Sequence, residues 1–304
     1  MEDLTLANII DVGVNASLFL VVFAIGLQAS ARDLGYLFRK PGLLARSLVS
    51  MNVVMVIFAV ATAVTFKMHP AVKIALVALA CSPVPPILPN KQTRAGGTEE
   101  YVIGLLCTMA AVAIIVVPLA IELIGHVAGL NIHMPFTRVA STVFLSVLIP
   151  LAAGVLVRAF LPEFARETAR PAELVGMVLL LLSVLPILAK SFPAFLALIG
   201  NGVVIFLVLF AVIGLAVGHL LGGPDPGNRT VLALATATRH PGVAMAIAAI
   251  NFPDQKLVVV VVIWHLILGA LVSAPYVRWR KRVLVRAQYS GAPTHSAIPQ
   301  SWRG

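Results

Sequence analysis

Charge is scarce in this chain. Of 304 residues only 11% are Asp, Glu, Lys or Arg, while 60% are hydrophobic and the mean hydropathy is +1.01. A soluble domain carries about 25% charged residues, so the composition excludes a soluble fold and points to a polytopic membrane protein. Cysteine is nearly absent: Cys81 and Cys107 lie apart in apolar surroundings, which excludes a disulfide scaffold and a zinc site. No HExxH, no GxSxG and no paired aspartates inside apolar runs are present, so an intramembrane enzyme is not expected. A cleavable leader is not expected either, because acidic Glu2 and Asp3 lead straight into the first apolar run. The formal charge of +10 is not a nucleic-acid footprint, since the polar surface to carry one is missing. Basic loops on one side of a membrane account for the excess.

What is present is a series of apolar runs. Nine spans are expected near residues 8–28, 43–66, 70–95, 101–125, 138–160, 172–191, 199–221, 229–251 and 257–277. Connections are short, so residues 1–277 form one membrane domain. Residues 278–304 read as a basic cytoplasmic tail, expected to be disordered where apolar periodicity stops at Tyr289. Sixteen basic residues, among them Arg32, Arg39, Lys40, Lys91, Arg94, Arg158, Arg166 and Arg229, fall in one set of loops and ends, against five in the other. That asymmetry places the N-terminus outside and the C-terminus in the cytoplasm, in a plasma membrane of the bacterial inner type.

Two of the nine runs are broken. In 229–251 the stretch Thr238-Arg239-His240-Pro241-Gly242 sets a cation, an imidazole and a helix breaker in mid-span. A charge at that depth costs roughly 2.5–3.5 kcal/mol on insertion scales, which makes Arg239 a functional candidate by default. It lies too far from either end to snorkel comfortably. In 70–95 the run Pro83-Val84-Pro85-Pro86-Ile87-Leu88-Pro89-Asn90 forbids a continuous helix in the same way. Broken spans at corresponding positions of two halves are the sequence signature of a secondary transporter built from an inverted repeat, with its site at the midplane. A channel would show a re-entrant filter or pore helix, and none is apparent.

The order of these segments resembles the bile acid:sodium symporter family, from about Ala16 to Arg282. Phe23-Ala24-Ile25-Gly26-Leu27 followed by Asp33 and Arg39-Lys40-Pro41 resembles its first core helix and basic turn. His69-Pro70-Ala71 through Pro83 resembles the outer half of its first broken helix, Arg239 through Ala246 its second, and Trp264-His265 a pair in its last helix. The resemblance implies an all-α fold of panel plus core domains, with two broken helices crossing at half-depth, here in a nine-helix form. It implies transport of organic anions, usually driven by sodium. By position, the family's sodium-binding carboxylate falls on Ala235, a Gln on Arg239 and an Asn on His240. A Ser-Asn pair falls near Pro89-Asn90, hydroxyl ligands fall near Ile103 and Cys107 beside Thr108, and a Gln falls on Asn52.

The sodium ligands are thus mostly missing, and Arg239 reverses the local sign of charge. The expectation is a carrier of an organic anion that does not use the two sodium sites, and no cofactor or resident metal is expected. Arg239 either replaces a cation by holding backbone carbonyls of Pro83–Pro89, or faces the cavity and binds the substrate carboxylate. His240 offers a proton route, or is a neutral side chain bonded at the break. Asn90, Asn52, Thr238 and Thr108 complete the expected substrate-binding set. His219, Trp264 and His265 read as interfacial packing near helix ends. The competing functions are a substrate-sensing membrane protein without flux, and a metalloid or auxin-type exporter of the same fold.

Overall fold

The computed structural model describes residues 6–199 and 202–289. Among these residues there is no strand. The chain runs through α1 (Leu6–Gln28), α2 (Ala31–Leu34) and α3 (Pro41–Leu48), which continues through a π-helical stretch, Val49–Val54, into α4 (Met55–Thr65). Then come the half-helices α5 (Pro70–Cys81) and α6 (Leu88–Arg94), and the long α7 (Glu99–Ala128). α8 (Phe136–Val143) passes through a second π stretch, Phe144–Leu148, into α9 (Ile149–Phe160), and α10 (Pro162–Leu198) follows. α11 (Val203–Leu221), the half-helices α12 (Pro226–Ala237) and α13 (Pro241–Asn251), and α14 (Leu257–Tyr289) complete the fold.

Among the described residues, eight helical segments, one of them α12–α13 taken together, are long and apolar enough to cross a membrane, while α5 is a shorter apolar helix. Their starts follow local chemistry. Proline stands in the first turn of α3, α5, α10, α12 and α13, where its missing N–H costs no hydrogen bond. The Asp225 carboxylate accepts from the Asn228 amide at 2.8 Å and caps α12.

Two expected boundaries are corrected. The sixth span, expected at 172–191, is the longer α10, which continues past Pro171, Pro186 and Pro193. α14 continues to Tyr289, so residues 278–289 are helix rather than tail, and residues 290–304 lie outside the described residues. The apolar period ends sooner than the helix because charged residues propagate a helix well once it leaves the bilayer.

Packing divides the helices into two groups. α1 lies between α9 and α10, and its backbone meets α9 at Gly26 and Gly154. A side chain on Gly26 would place its Cβ 2.9 Å from the Gly154 Cα, so only a pair of glycines permits this approach. The second group, α3–α7 with α11–α14, contains both broken spans and most of the largest buried cluster, which reaches into α8 and the end of α10. Here α11 presses onto α12, where a Cβ on Gly218 would sit 2.4 Å from the Leu232 carbonyl oxygen. Large apolar side chains point outward, including Leu182 at 61%, Ile205 at 68% and Leu220 at 78% exposure. Such a surface is solvated by lipid and not by water.

Contacts between the two groups occur at several levels. Arg94 of α6 and Glu173 of α10 form an ion pair at 3.1 Å, with Arg94 largely exposed. Trp264 of α14 stacks on Phe195 of α10, with ring centroids 4.2 Å apart, and donates to the Ser191 hydroxyl at 3.2 Å.

Candidate functional site: the crossing of the two broken helices

The two breaks meet. Ser82 ends α5 in extended backbone, and Thr238 and His240 are extended between α12 and α13. Extended backbone leaves N–H and C=O groups without intrahelical partners, and at this depth they must find others. One such need is met across the crossing: the His240 amide donates to the Pro83 carbonyl at 2.9 Å.

Arg239 adds two bonds, one of them to the break. It is 0% exposed, and its guanidinium donates to the Ser82 carbonyl at 3.2 Å and to the Met51 carbonyl at 2.8 Å. Of the two arrangements expected for this cation, the carbonyl-bonded one is found. Its partners, however, are Ser82 and Met51 and not the expected Pro83–Pro89. Met51 lies in the π stretch of the second span. One side chain therefore ties together the first break, the second break and a third helix. The same stretch is sewn to α12 by Ser50 and Thr236, whose hydroxyls are 2.7 Å apart. On the basic side, the Gln92 side chain of α6 donates to the Val231 carbonyl of α12 at 2.8 Å.

His240 closes the start of α13. Its Nδ1 accepts from the Gly242 amide at 3.1 Å, and its Nε2 lies 3.4 Å from the Ser146 hydroxyl in the π stretch before α9. With Nδ1 accepting, the ring is the neutral Nε2–H form in this arrangement. His69 does the same at the start of α5, accepting from Ala71 at 3.1 Å. The half-helices α5 and α13 thus both begin with a His-Pro pair in which imidazole caps and proline occupies the first turn.

The remaining expected residues behave differently. Asn90 and Thr108 each leave a buried polar atom, Nδ2 and Oγ1, without a hydrogen-bond partner. Thr238 and Asn52 are half-buried beside the crossing and the π stretch. Reading His265 as interfacial packing is overturned. Its ring is 0% exposed, packs edge-on against Phe210 at 5.3 Å, and neither ring nitrogen has a partner. It is buried because its side of α14 faces Phe210 of α11 and not lipid, whereas Leu271 of the same helix is exposed. The roles of Gln92, Ser50, Ser146 and the Met51 carbonyl had no sequence signal, since they depend on which helices are neighbours.

Sodium coordination requires several oxygens and a nearby negative charge. Ala235, where the family carboxylate falls, is a fully buried methyl, and α5, α6, α12 and α13 contain no Asp or Glu. Arg239 occupies carbonyl oxygens at the breaks with its own positive charge.

A model of the sodium bile acid symporter family matches residues 16–198. The chain belongs to that family. It is accordingly an integral membrane protein of a transporter family. The matched segment covers the first broken span and the α1–α9–α10 group, and it ends before α12 and α13, where Arg239 and His240 stand. No match is found among curated proteins.

Proposed function

We propose that this member of the sodium bile acid symporter family carries an organic anion by alternating access without the two sodium sites, Arg239 acting as a tethered cation that holds the crossing closed. The observation that carries this reading is the pair of bonds from Arg239 to the Ser82 and Met51 carbonyls, in a crossing with no carboxylate. A cation bound to carbonyl oxygens at a helix break neutralises the same dipoles whether it is free or fixed to the chain. The fixed one never leaves, so uptake proceeds without sodium.

The two halves form an inverted repeat, with the N-terminus outside and the C-terminus in the cytoplasm of a bacterial inner membrane, as the basic loops favour. The α1–α9–α10 group is the panel against which the core rocks. Asn90, Thr108, Thr238 and Asn52 meet the substrate. The unpartnered atoms of Asn90 and Thr108 favour them, since a buried donor without a partner costs about 1–3 kcal/mol until a ligand or water satisfies it. Arg239 and His240 serve the site indirectly, by positioning the positive start of α13. Proton linkage, if present, runs through His240, because protonating Nδ1 breaks its bond to Gly242 and loosens the crossing.

The test is flux in proteoliposomes under a substrate gradient, with sodium, potassium or choline as the external cation. Equal rates in all three support the proposal, and strict dependence on sodium overturns it. Binding without flux would assign the chain to sensing instead.

A further inference from the structure

A second polar site lies away from the crossing, on the face rich in basic residues. Between the start of α3 and the turn joining α11 to α12 is a cavity of about 360 Å³. One wall carries Lys40, Arg46 and the first turn of α3. Lys40 is held in place, donating to the Tyr36 hydroxyl at 2.8 Å and lying over that ring. Arg46 lies across Gly223, where any side chain would need its Cβ 2.7 Å from the guanidinium, in backbone with φ +85°. Gly42 is the second residue of α3, so its N–H has no intrahelical partner, and nothing lies within 4 Å of where its side chain would be. Gly42 lines the cavity.

The other wall differs. The Asp225 carboxylate is engaged, accepting from the Asn228 amide and from the Thr98 hydroxyl at 3.3 Å. Asn228 is only 9% exposed and its Oδ1 has no partner. A buried oxygen acceptor without a donor calls for a hydroxyl or ammonium group. Two cations and a free helix amide call for a phosphate. A ligand that satisfies both walls is a phosphate ester with a hydroxyl a few bonds away.

We propose that this cavity binds the headgroup of an anionic phospholipid whose phosphodiester carries a hydroxylated alcohol, such as phosphatidylglycerol. The phosphate meets Lys40, Arg46 and the Gly42 amide, and the headgroup hydroxyl donates to Asn228. The site sits where α3 enters and α11 leaves the apolar zone, at headgroup depth. Basic pockets between helices at a membrane face favour anionic lipid there. The proposal does not depend on what the crossing transports.

The experiment uses the delipidated full chain in detergent and reads bound lipid by native mass spectrometry and by thermal midpoint. The probes are phosphatidylglycerol, phosphatidylmethanol (equal charge, no headgroup hydroxyl), phosphatidylcholine and sn-glycerol 3-phosphate. Phosphatidylglycerol is expected to bind at least tenfold more tightly than phosphatidylcholine and severalfold more tightly than phosphatidylmethanol. Lys40→Gln with Arg46→Gln, both at exposed positions, is expected to abolish the first preference, and Asn228→Ala the second. Equal binding of phosphatidylglycerol and phosphatidylcholine overturns the proposal, as does an unchanged preference in the double variant. Tight binding of glycerol phosphate itself overturns the lipid as occupant.

Discussion

Replacing Arg239 tests the tethered cation most directly. Arg239→Met keeps most of the volume and removes both bonds. A hydrogen bond to a charged group contributes about 1.5–3 kcal/mol, and two are lost, at the Ser82 and Met51 carbonyls. Set against this is the recovered cost of holding a cation at mid-membrane, roughly 2.5–3.5 kcal/mol. The balance is a net destabilisation of about 0.5–2.5 kcal/mol, or a fall in thermal midpoint of roughly 1–10 °C, scaling from soluble domains. Arg239→Gln retains one donor group and should lose about half as much. Midpoints of parent and variants in the same detergent, beside initial rates of anion uptake in proteoliposomes, provide the measurement. If Arg239→Met matches the parent in both, the bonds contribute nothing net and the argument fails. If Arg239→Gln keeps its midpoint but loses anion binding, the guanidinium is a substrate ligand and the tethered-cation reading is wrong.

Four further outcomes follow from the same geometry. Ala235→Glu combined with Arg239→Gln places at both positions the residues that the family resemblance implies. Added sodium chloride, compared with choline chloride, should raise the midpoint of that double variant and leave the parent unmoved. His240→Asn keeps an acceptor for the Gly242 amide and should change the midpoint little, whereas His240→Ala should cost about 1 kcal/mol. Equal midpoints for the two would show that the cap is idle. Glu173→Gln breaks the Arg94 pair, which is partly exposed and contributes no more than about 1 kcal/mol, so stability should hold. Cysteines placed along the basic-side seam between α6 and α10 should nonetheless label faster, and unchanged labelling would remove that pair from any gating role. Gly26→Val forces apart α1 and α9 and should cost about 1–3 kcal/mol or more, visible as loss of monodisperse protein on size exclusion; a well-behaved variant would refute the close approach.

Much of the architecture was legible along the chain, because lipid leaves a backbone few options. Apolar runs of spanning length must become helices that satisfy their own hydrogen bonds, and prolines at 83–89 and 241 must interrupt them. The scarcity of carboxylates and the lone Arg239 were equally plain. Where α10 and α14 end was less plain, since proline inside a helix and charge beyond it are both tolerated once neighbours or water supply the missing interactions.

Tertiary structure alone decided what Arg239 touches. Its partners are carbonyl oxygens of Ser82 and Met51, and every residue has a carbonyl, so no letter in the sequence marks those two. The π stretch that carries Met51, the apposition of the two breaks, and the isolation of His265 against Phe210 arise from helices distant in sequence packing side by side. Composition dictates that a buried charge must find partners, and only the folded arrangement of neighbouring backbones determines which ones it finds.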